Sequence, residues 1–418
     1  MKPISKLMSK RPITVPATAY ICTFCSAHAI PRTRKYSSTH TSSASSLPTS
    51  TKTSTQSESE SQAQSGFHEL AKKGITRLST RRLISLRGPD SMKYLQGVIT
   101  NDIYKEGLNS DKKGFYSAFL NAKGRVLNDV WIYKDLYADR GKYGEKGKEG
   151  ENWLIEVDAK EVEVLAKHIK KYRMRAKFDV EVVGEEEIGI YSCWGVEEGV
   201  EMRKGTGIMV ADHRAPGMGK RIVADKGWDL QRDVEGIDEE VKMQEEETYR
   251  VRRYLIGVPE GQDEIFRESA LPQESNVDVM GGIDYGKGCY VGQELTIRTH
   301  HTGVIRKRII PMMLVPEGGT MPGLGELDYK GGNLASYLRG SENIKKVGGK
   351  RPVGKWLSGV GNVGLGLARL DEMGKWMMEG QRKEGDAEEE FVVEAKDEEE
   401  GDARNIRVRA FPPAWIET

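Results

Sequence analysis

Apolar positions alternate between strand-like and helix-like spacing through the first half of the chain. Residues 82–86 (RLISL) form a short apolar run that predicts a strand, and Met92, Leu95 and Val98 follow it at helical spacing. Two further apolar runs flank the turn at residues 121–124, which predicts a β-hairpin. Predicted strands are 82–86, 115–120, 125–133, 152–157, 178–183, 188–193 and 221–223, and predicted helices are 91–99, 162–172 and 240–255. This mixture predicts an α+β region.

The pattern changes after Gly303. Short apolar runs, such as 304–313 and 406–411, are separated by glycine-rich turns without a strong helical pattern. Such a texture predicts a small all-β domain of the barrel type, with Gly359, Gly361 and Gly364 at its bends. Three polar segments are predicted to be surface insertions, the last of them rich in glutamate: 138–151, 329–351 and 376–404.

The first 36 residues have the composition of a mitochondrial transit peptide. They contain seven basic residues and no acidic one, since the first acid of the chain is Glu58. Residues 37–65 follow, in which 18 of 29 residues are Ser or Thr, and such a tract has little to bury. We therefore expect a mitochondrial matrix protein. Its predicted parts are a transit peptide (1–36), a disordered linker (37–66), an α+β region (67–303) and a β-barrel-like domain (304–418).

Charge and cysteine content exclude several classes of protein. The net charge of +1 gives no basic surplus for binding nucleic acid, and the longest apolar runs are too short to span a membrane. Of the four cysteines, Cys22 and Cys25 lie in the segment expected to be removed. Cys193 lies in an apolar strand and is interpreted as a core residue. Cys289 is the remaining candidate for chemistry.

Residues 286–298 (GKGCYVGQELTIR) form the most informative segment. Three glycines surround Cys289, which predicts a tight turn that exposes the thiol. Lys287 and Arg298 add positive charge, which favours a thiolate. A buried cysteine filling a glycine-rich turn is the alternative, and the residues alone leave both interpretations open.

The run K-G-C-Y-x-G-Q-E at 287–294 resembles the signature of the YgfZ-type family of T-protein-like proteins. R-T-H-H-x-G at 298–303 is similar to the mitochondrial members of that family. The resemblance extends over about residues 75–315. The other matching blocks are 88–102, 120–129, 212–214, 253–259 and 272–276.

This resemblance implies an α+β, tetrahydrofolate-binding fold like that of the glycine-cleavage T-protein, with a small C-terminal β-barrel. It also implies a role in mitochondrial iron–sulfur assembly, in which [4Fe–4S] clusters are made for aconitase-type and radical enzymes together with A-type scaffold proteins. The residues implied for cluster or partner contact are Lys287, Gly288, Cys289, Tyr290, Gly292, Gln293, Glu294 and Arg298. His300 or His301 is a further candidate ligand. The implied folate-pocket residues are Asn121, Asp129, Arg253 and Glu274.

One thiolate cannot hold an iron–sulfur cluster, because such clusters usually take four protein ligands. We therefore expect a [2Fe–2S] cluster shared between Cys289 and a scaffold, with the chain a monomer before the complex forms. T-proteins carry two adjacent acids after the hairpin, whereas this chain has Asn128-Asp129, which argues against aminomethyl transfer. A folate-dependent one-carbon transferase and an adaptor with an inert Cys289 are the alternatives.

Overall fold

A computed structural model describes residues 70–110, 112–135, 152–323, 327–374, 389–396 and 403–416. The elements below belong to one compact unit, Ala63–Thr418. The predicted transit peptide, the whole of the predicted linker and the predicted insertion 138–151 lie outside the described residues.

A five-stranded antiparallel sheet contains the predicted hairpin. Its strand order is β3-β4-β5-β2-β6. The strands are β2 (Arg81–Arg87), β3 (Gly114–Leu120), β4 (Val126–Lys134), β5 (Asn152–Asp158) and β6 (Asp179–Val182). Helices α1 (Ser91–Val98) and α2 (Val162–Tyr172) pack on one face, where Leu95, Leu165 and Ile169 are fully buried with Ile84 and Ile155. Both helices cover the sheet with the apolar stripe that their spacing predicts.

A second antiparallel sheet packs against the opposite face of the first. Its order is β1-β7-β10-β9, and Ile190 and Val223 share one core cluster with Leu83, Trp131 and Tyr133 of the first sheet. Its strands are β1 (Gly74–Arg77), β7 (Ile188–Trp194), β9 (Gly207–Ala211) and β10 (Lys220–Asp225), and β8 (Glu201–Met202) pairs with β11 (Val234–Glu235). Two helices follow, α3 (Leu230–Asp233) and α4 (Glu246–Ile256). The helix predicted over 240–255 therefore begins six residues later.

The C-terminal part is a closed six-stranded barrel, as predicted. Its order is β12-β15-β14-β13-β16-β17. The strands are β12 (Lys307–Val315), β13 (Asn343–Lys346), β14 (Pro352–Val360), β15 (Val363–Arg369), β16 (Phe391–Lys396) and β17 (Ala403–Ala410). Gly359 and Gly364 face each other across the β14–β15 hairpin, and Gly361 has a φ of 60° in its turn. These glycines are bends of the barrel.

Two of the three segments predicted to be surface insertions contain a strand of the barrel. Strand β13 lies inside the segment 329–351, and β16 lies inside 376–404. Strand β13 (NIKK) contains a single apolar residue, Ile344, so its sequence carries no alternating pattern. Pairing with two barrel neighbours decides the conformation of this strand, and such tertiary context overrides local propensity.

Two helices were not predicted from the sequence, the four-residue α3 and α5 (Gln293–Thr302). Only Thr296 is buried in α5, so its sequence carries no apolar stripe. Among the described residues, no helix combines the length and the apolar character needed to cross a membrane.

Candidate functional site

Cys289 lies in the loop 284–292, here called the thiol loop, which runs directly into α5. The thiol is exposed, whereas Cys193 in β7 is fully buried. Burial raises the pKa of the Cys193 thiol to about 12, so it is protonated and inert at neutral pH. Of the two cysteines that the structure describes, Cys289 is thus the one that can meet a metal or another protein.

Lys287 fastens the thiol loop to the end of α1. Its ammonium donates hydrogen bonds to the carbonyl oxygens of Gln96 (2.8 Å), Ile99 (2.7 Å) and Asn101 (2.8 Å). The carbonyls at the end of a helix lack intrahelical partners, so a cation is well placed there. Burial lowers the pKa of Lys287 to about 8. All three donors of Lys287 bind the backbone, so this side chain has a structural role, and its supply of positive charge for a thiolate stays a prediction.

The thiol loop also packs against the turn of the β3–β4 hairpin through two glycines. Gly292 has a φ of 81°, and a Cβ there would lie 2.4 Å from the carbonyl oxygen of Asn121. Gly124 has a φ of 75°, and its Cβ would lie 3.0 Å from the carbonyl oxygen of Gly292. Both positions need a residue without a side chain. The shape of the loop therefore depends on the hairpin turn.

Gly288 differs from these two glycines. A Cβ at Gly288 would meet no atom within 4 Å, and its φ lies outside the positive region. The fold therefore does not require glycine at this position. Next to the exposed Cys289, a missing side chain leaves room for an approaching molecule.

The side chains after Cys289 orient the loop and start the helix. The backbone N–H of Tyr290 donates to Oε1 of Gln293 (3.2 Å), and the Tyr290 ring is buried beneath the Lys287 ammonium, 4.9 Å from its centroid. Glu294 is exposed in the first turn of α5, where a negative charge is favoured by the helix dipole. Arg298 is exposed further along the same helix.

His300 and His301 lie in the last turn of α5, a helix rise of roughly 10 Å after Gln293. The thiol loop nevertheless reaches this end of the helix through Tyr285. The His300 ring stacks on Tyr285 with centroids 3.7 Å apart, and burial lowers the pKa of His300. Within the described part of the chain, no group of three or more His, Cys, Asp or Glu side chains could hold a metal ion.

The folate-pocket candidates Asp129 and Arg253 lie in a buried network of ion pairs between the two sheets. Asp129 is fully buried, accepts a hydrogen bond from the Gly261 N–H (3.1 Å) and contacts Nη1 of Arg81 (3.3 Å). Arg253 donates to both carboxylate oxygens of Glu264, at 2.8 and 3.0 Å. Burial raises the pKa of Asp129 despite the opposing charge of Arg81. Asp129 and both Nη atoms of Arg253 are bound to protein partners, whereas the buried Nε of Arg253 has no hydrogen-bond partner.

The centre of this network was not predicted. Glu156 on β5 accepts hydrogen bonds from Arg81 (2.9 Å) and Arg221, and Arg221 also reaches Glu260 (3.0 Å). Burial opposes the ionisation of Glu260, but Arg221 and the other arginines hold its pKa well below its usual range. The network residues are Arg81, Asp129, Glu156, Asp212, Arg214, Arg221, Tyr249, Arg253, Glu260 and Glu264. The sequence did carry a signal for this network, namely basic residues within apolar strands, such as Arg221 in the segment 221–225 (RIVAD).

The other two folate candidates lie elsewhere. Asn121 is in the hairpin turn, where its side-chain oxygen accepts the N–H groups of Lys123 (2.9 Å) and Arg125 (3.0 Å). Glu274 lines a cleft of about 320 Å³ beside the barrel. Asn121 therefore lies beside the thiol loop, close to Gly292. Asp129 and Arg253 are connected to each other through the ion-pair network and not by a direct contact.

Asn128 also departs from the expected acid pair. Its side chain is fully buried and its Oδ1 accepts a hydrogen bond from Arg267 (2.6 Å), while its Nδ2 has no hydrogen-bond partner. An amide here cannot transfer a proton as a carboxylate would.

Comparison with known proteins identifies the family. Residues 306–418 match the model of the CAF17 C-terminal beta-barrel domain. The chain is 41% identical over 382 residues to "Iron-sulfur cluster assembly factor IBA57 homolog, mitochondrial" of Chaetomium globosum, with 82% of this chain and 84% of that protein covered. The homologue of the same name from Pyricularia oryzae is 43% identical over 352 residues, with 82% and 85% covered. This chain belongs to the IBA57 family.

The IBA57 family consists of mitochondrial iron–sulfur cluster assembly factors, so the predicted resemblance and the mitochondrial localisation are confirmed. The fold is that of the T-protein. The aminomethyltransferase T of the glycine cleavage system from Bartonella henselae matches with a TM-score of 0.56 at 13% identity, covering 83% of this chain and 87% of that one. The α+β fold with a C-terminal barrel is thereby confirmed.

Proposed function

We propose that this IBA57-family chain contributes Cys289 as one thiolate ligand of a [2Fe–2S] cluster shared with an A-type scaffold. The shared cluster would be a step toward [4Fe–4S] clusters for aconitase-type and radical enzymes. The observation that carries the proposal is that Cys289 is the exposed one of the two cysteines that the structure describes, on a loop fastened on both sides. Here the cluster is the cargo of the protein, which passes through the site.

The ligand count requires a partner. A cluster needs about four protein ligands, and Cys193 is buried with a thiol pKa of about 12. His300, whose ring stacks on Tyr285 of the thiol loop, or the adjacent His301 could add one imidazole ligand. The remaining ligands are therefore proposed to come from the scaffold.

The fixed loop favours such a shared site. A ligand held in place before binding loses less conformational entropy when the complex forms. Lys287 and Gly292 supply this constraint from two directions, α1 and the hairpin turn. Gly288 leaves open space beside the thiol for the second protein.

The test is anaerobic mixing of residues 37–418 with a [2Fe–2S]-loaded A-type scaffold, followed by visible absorption and measurement of the complex mass. We expect a cluster-bridged complex with the wild type and none with Cys289→Ala. Cys193→Ala is the matched control, since it removes the other thiol of these residues and should leave the complex intact. A complex of equal mass and spectrum with Cys289→Ala would favour the adaptor alternative and eliminate the shared cluster.

Tetrahydrofolate binding is a separate proposal, which the T-protein-like fold supports. Two of the four side chains named for it, Asp129 and Arg253, do not fit this role as they stand, because they are bound to Arg81 and Glu264. We therefore derive no one-carbon transfer step. Anaerobic equilibrium dialysis with tetrahydrofolate tests binding. Saturable binding that Asp129→Asn weakens would revive the transferase alternative, whereas its absence would remove the folate proposal.

A further inference from the structure

A cleft of about 320 Å³ separates residues 266–275 from the outer face of barrel strands β12, β14 and β15. Its apolar lining includes Phe266, Ile309 and Leu357, and four basic side chains surround it. These are Arg125, Lys307, Lys355 and Arg369. The cleft is separate from the thiol loop and has the volume of a small-molecule site.

The strand register concentrates positive charge on this face. Lys307 on β12 pairs directly with Arg369 on β15, and Lys355 on β14 pairs with Leu367 on β15. Like charges opposite each other in a sheet are destabilising. Asp371 offsets part of this repulsion through its contact with Arg369, and a bound anion would stabilise the pair further.

Most of this charge is not neutralised by the protein. Among the described residues, Lys307 and Lys355 form no ion pair, and the guanidinium of Arg125 donates to the backbone carbonyl of Ser269 (2.7 Å). Arg369 contacts Asp371 at 3.3 Å. Of the two acids in the lining, Glu264 is committed to Arg253, which leaves Glu274 as an acceptor.

The walls of the cleft are already in place. The N–H of Val126 in β4 donates to the carbonyl of Ala270 (2.9 Å), and the N–H of Ile309 in β12 donates to the carbonyl of Glu274 (2.9 Å). The segment between them is thus tied to the hairpin on one side and to the barrel on the other. A preformed cleft binds a ligand with little cost of ordering.

We propose that this cleft binds a small carboxylic acid with an apolar body. The carboxylate group or groups of this ligand would be held by Lys307 and Lys355. Its apolar part would pack on Phe266, Ile309 and Leu357. This site does not depend on the proposed cluster role of Cys289.

The probe is phenylsuccinate, an aromatic dicarboxylate, titrated into residues 37–418 and followed by ligand-observed NMR. We expect saturable binding with a dissociation constant on the order of 1 mM or tighter, given the size of the probe. The Lys307→Gln/Lys355→Gln double variant should weaken binding about tenfold. Lys167→Gln, at an exposed position on α2, and Cys289→Ala should both bind like the wild type.

A neutral probe separates charge recognition from apolar contact. The diamide of phenylsuccinate should show no saturable binding. The proposal is overturned if the diamide binds as well as the acid, if the lysine double variant binds like the wild type, or if phenylsuccinate does not saturate. Circular dichroism of the double variant confirms that it is folded, so that a loss of binding reports on the site.

Discussion

The thiol loop and the buried ion-pair network use charged side chains in opposite ways. In the network, arginines and carboxylates satisfy one another inside the core, and Arg221 and Glu156 are both fully buried. In the thiol loop, Lys287 binds backbone carbonyls and Asp284 accepts hydrogen bonds from Lys105 and Gly286, while Cys289 faces solvent. The comparison shows that the accessible thiol of Cys289 lies outside the ion-pair network, where the titratable side chains are concentrated.

The largest effect is expected in the network. Arg221→Met should lower the free energy of unfolding by about 3–5 kcal/mol, because it leaves Glu156 and Glu260 buried with fewer partners. Urea unfolding at pH 7 measures this. The control is Lys226→Met, which breaks an exposed pair with Glu186 and should cost less than about 1 kcal/mol. Equal costs for the two variants would contradict the description of the network as a stabilising core.

The pH dependence of unfolding sharpens the same point. Despite the desolvation that opposes ionisation, Arg221 and its neighbours lower the pKa of Glu260 well below the usual value of 4.5. A carboxyl group with a depressed pKa stabilises the folded state above its unfolded-state pKa, and this contribution is lost as the pH falls below that value. The stability difference between wild type and Glu260→Gln should therefore shrink below pH 4.5, by up to about 1.4 kcal/mol per pH unit. If the stability difference between the two proteins did not change with pH, the charge of Glu260 would not be the source of its contribution to stability.

In the thiol loop, Lys287→Met should lower the free energy of unfolding by about 2 kcal/mol, because carbonyls at the end of α1 lose a charged donor. Hydrogen exchange should become faster at residues 96–101 and 287–291, which the contact joins, and remain unchanged in the barrel. Lys287→Arg keeps the charge with a different donor geometry and should give an intermediate result. Uniformly faster exchange throughout the chain would indicate a global effect and not a local clamp.

The two glycines beside Cys289 should behave differently from each other. Gly292→Ala should destabilise the protein by about 1–2 kcal/mol because of its positive φ and the overlap with Asn121. Gly288→Ala should change stability by less than about 0.5 kcal/mol, since its Cβ enters open space. Thermal unfolding and complex formation with the scaffold are measured on both. A loss of complex in Gly288→Ala without a loss of stability would place the partner surface at this position.

Local sequence patterns predicted much of the fold. The β3–β4 hairpin, α1 and the barrel character of the C-terminal part follow from apolar spacing and turn residues. Helix α5 and strand β13 were not predictable in this way, because α5 buries only Thr296 and β13 contains one apolar residue. Both elements are defined by contacts with distant parts of the chain.

The exposure of Cys289 was predictable from the sequence, but the contacts of the residues around it were not. Glycines around Cys289 indicated a tight turn with an exposed thiol, and the thiol is exposed. The direction of the Lys287 side chain depends on carbonyls that lie about 190 residues earlier in the chain, which no local pattern encodes. The ion-pair network could not be found from spacing either, since Arg221 and Glu156 are 65 residues apart.

The contact between Gly124 and Gly292 also has a consequence for the order of folding. These residues are far apart in sequence, and such non-local contacts close late because a long loop must be ordered first. A nascent or partly folded chain therefore contains Cys289 without the geometry that presents it. We therefore expect the geometry that presents Cys289 to form only when the hairpin and the segment that follows α4 have come together.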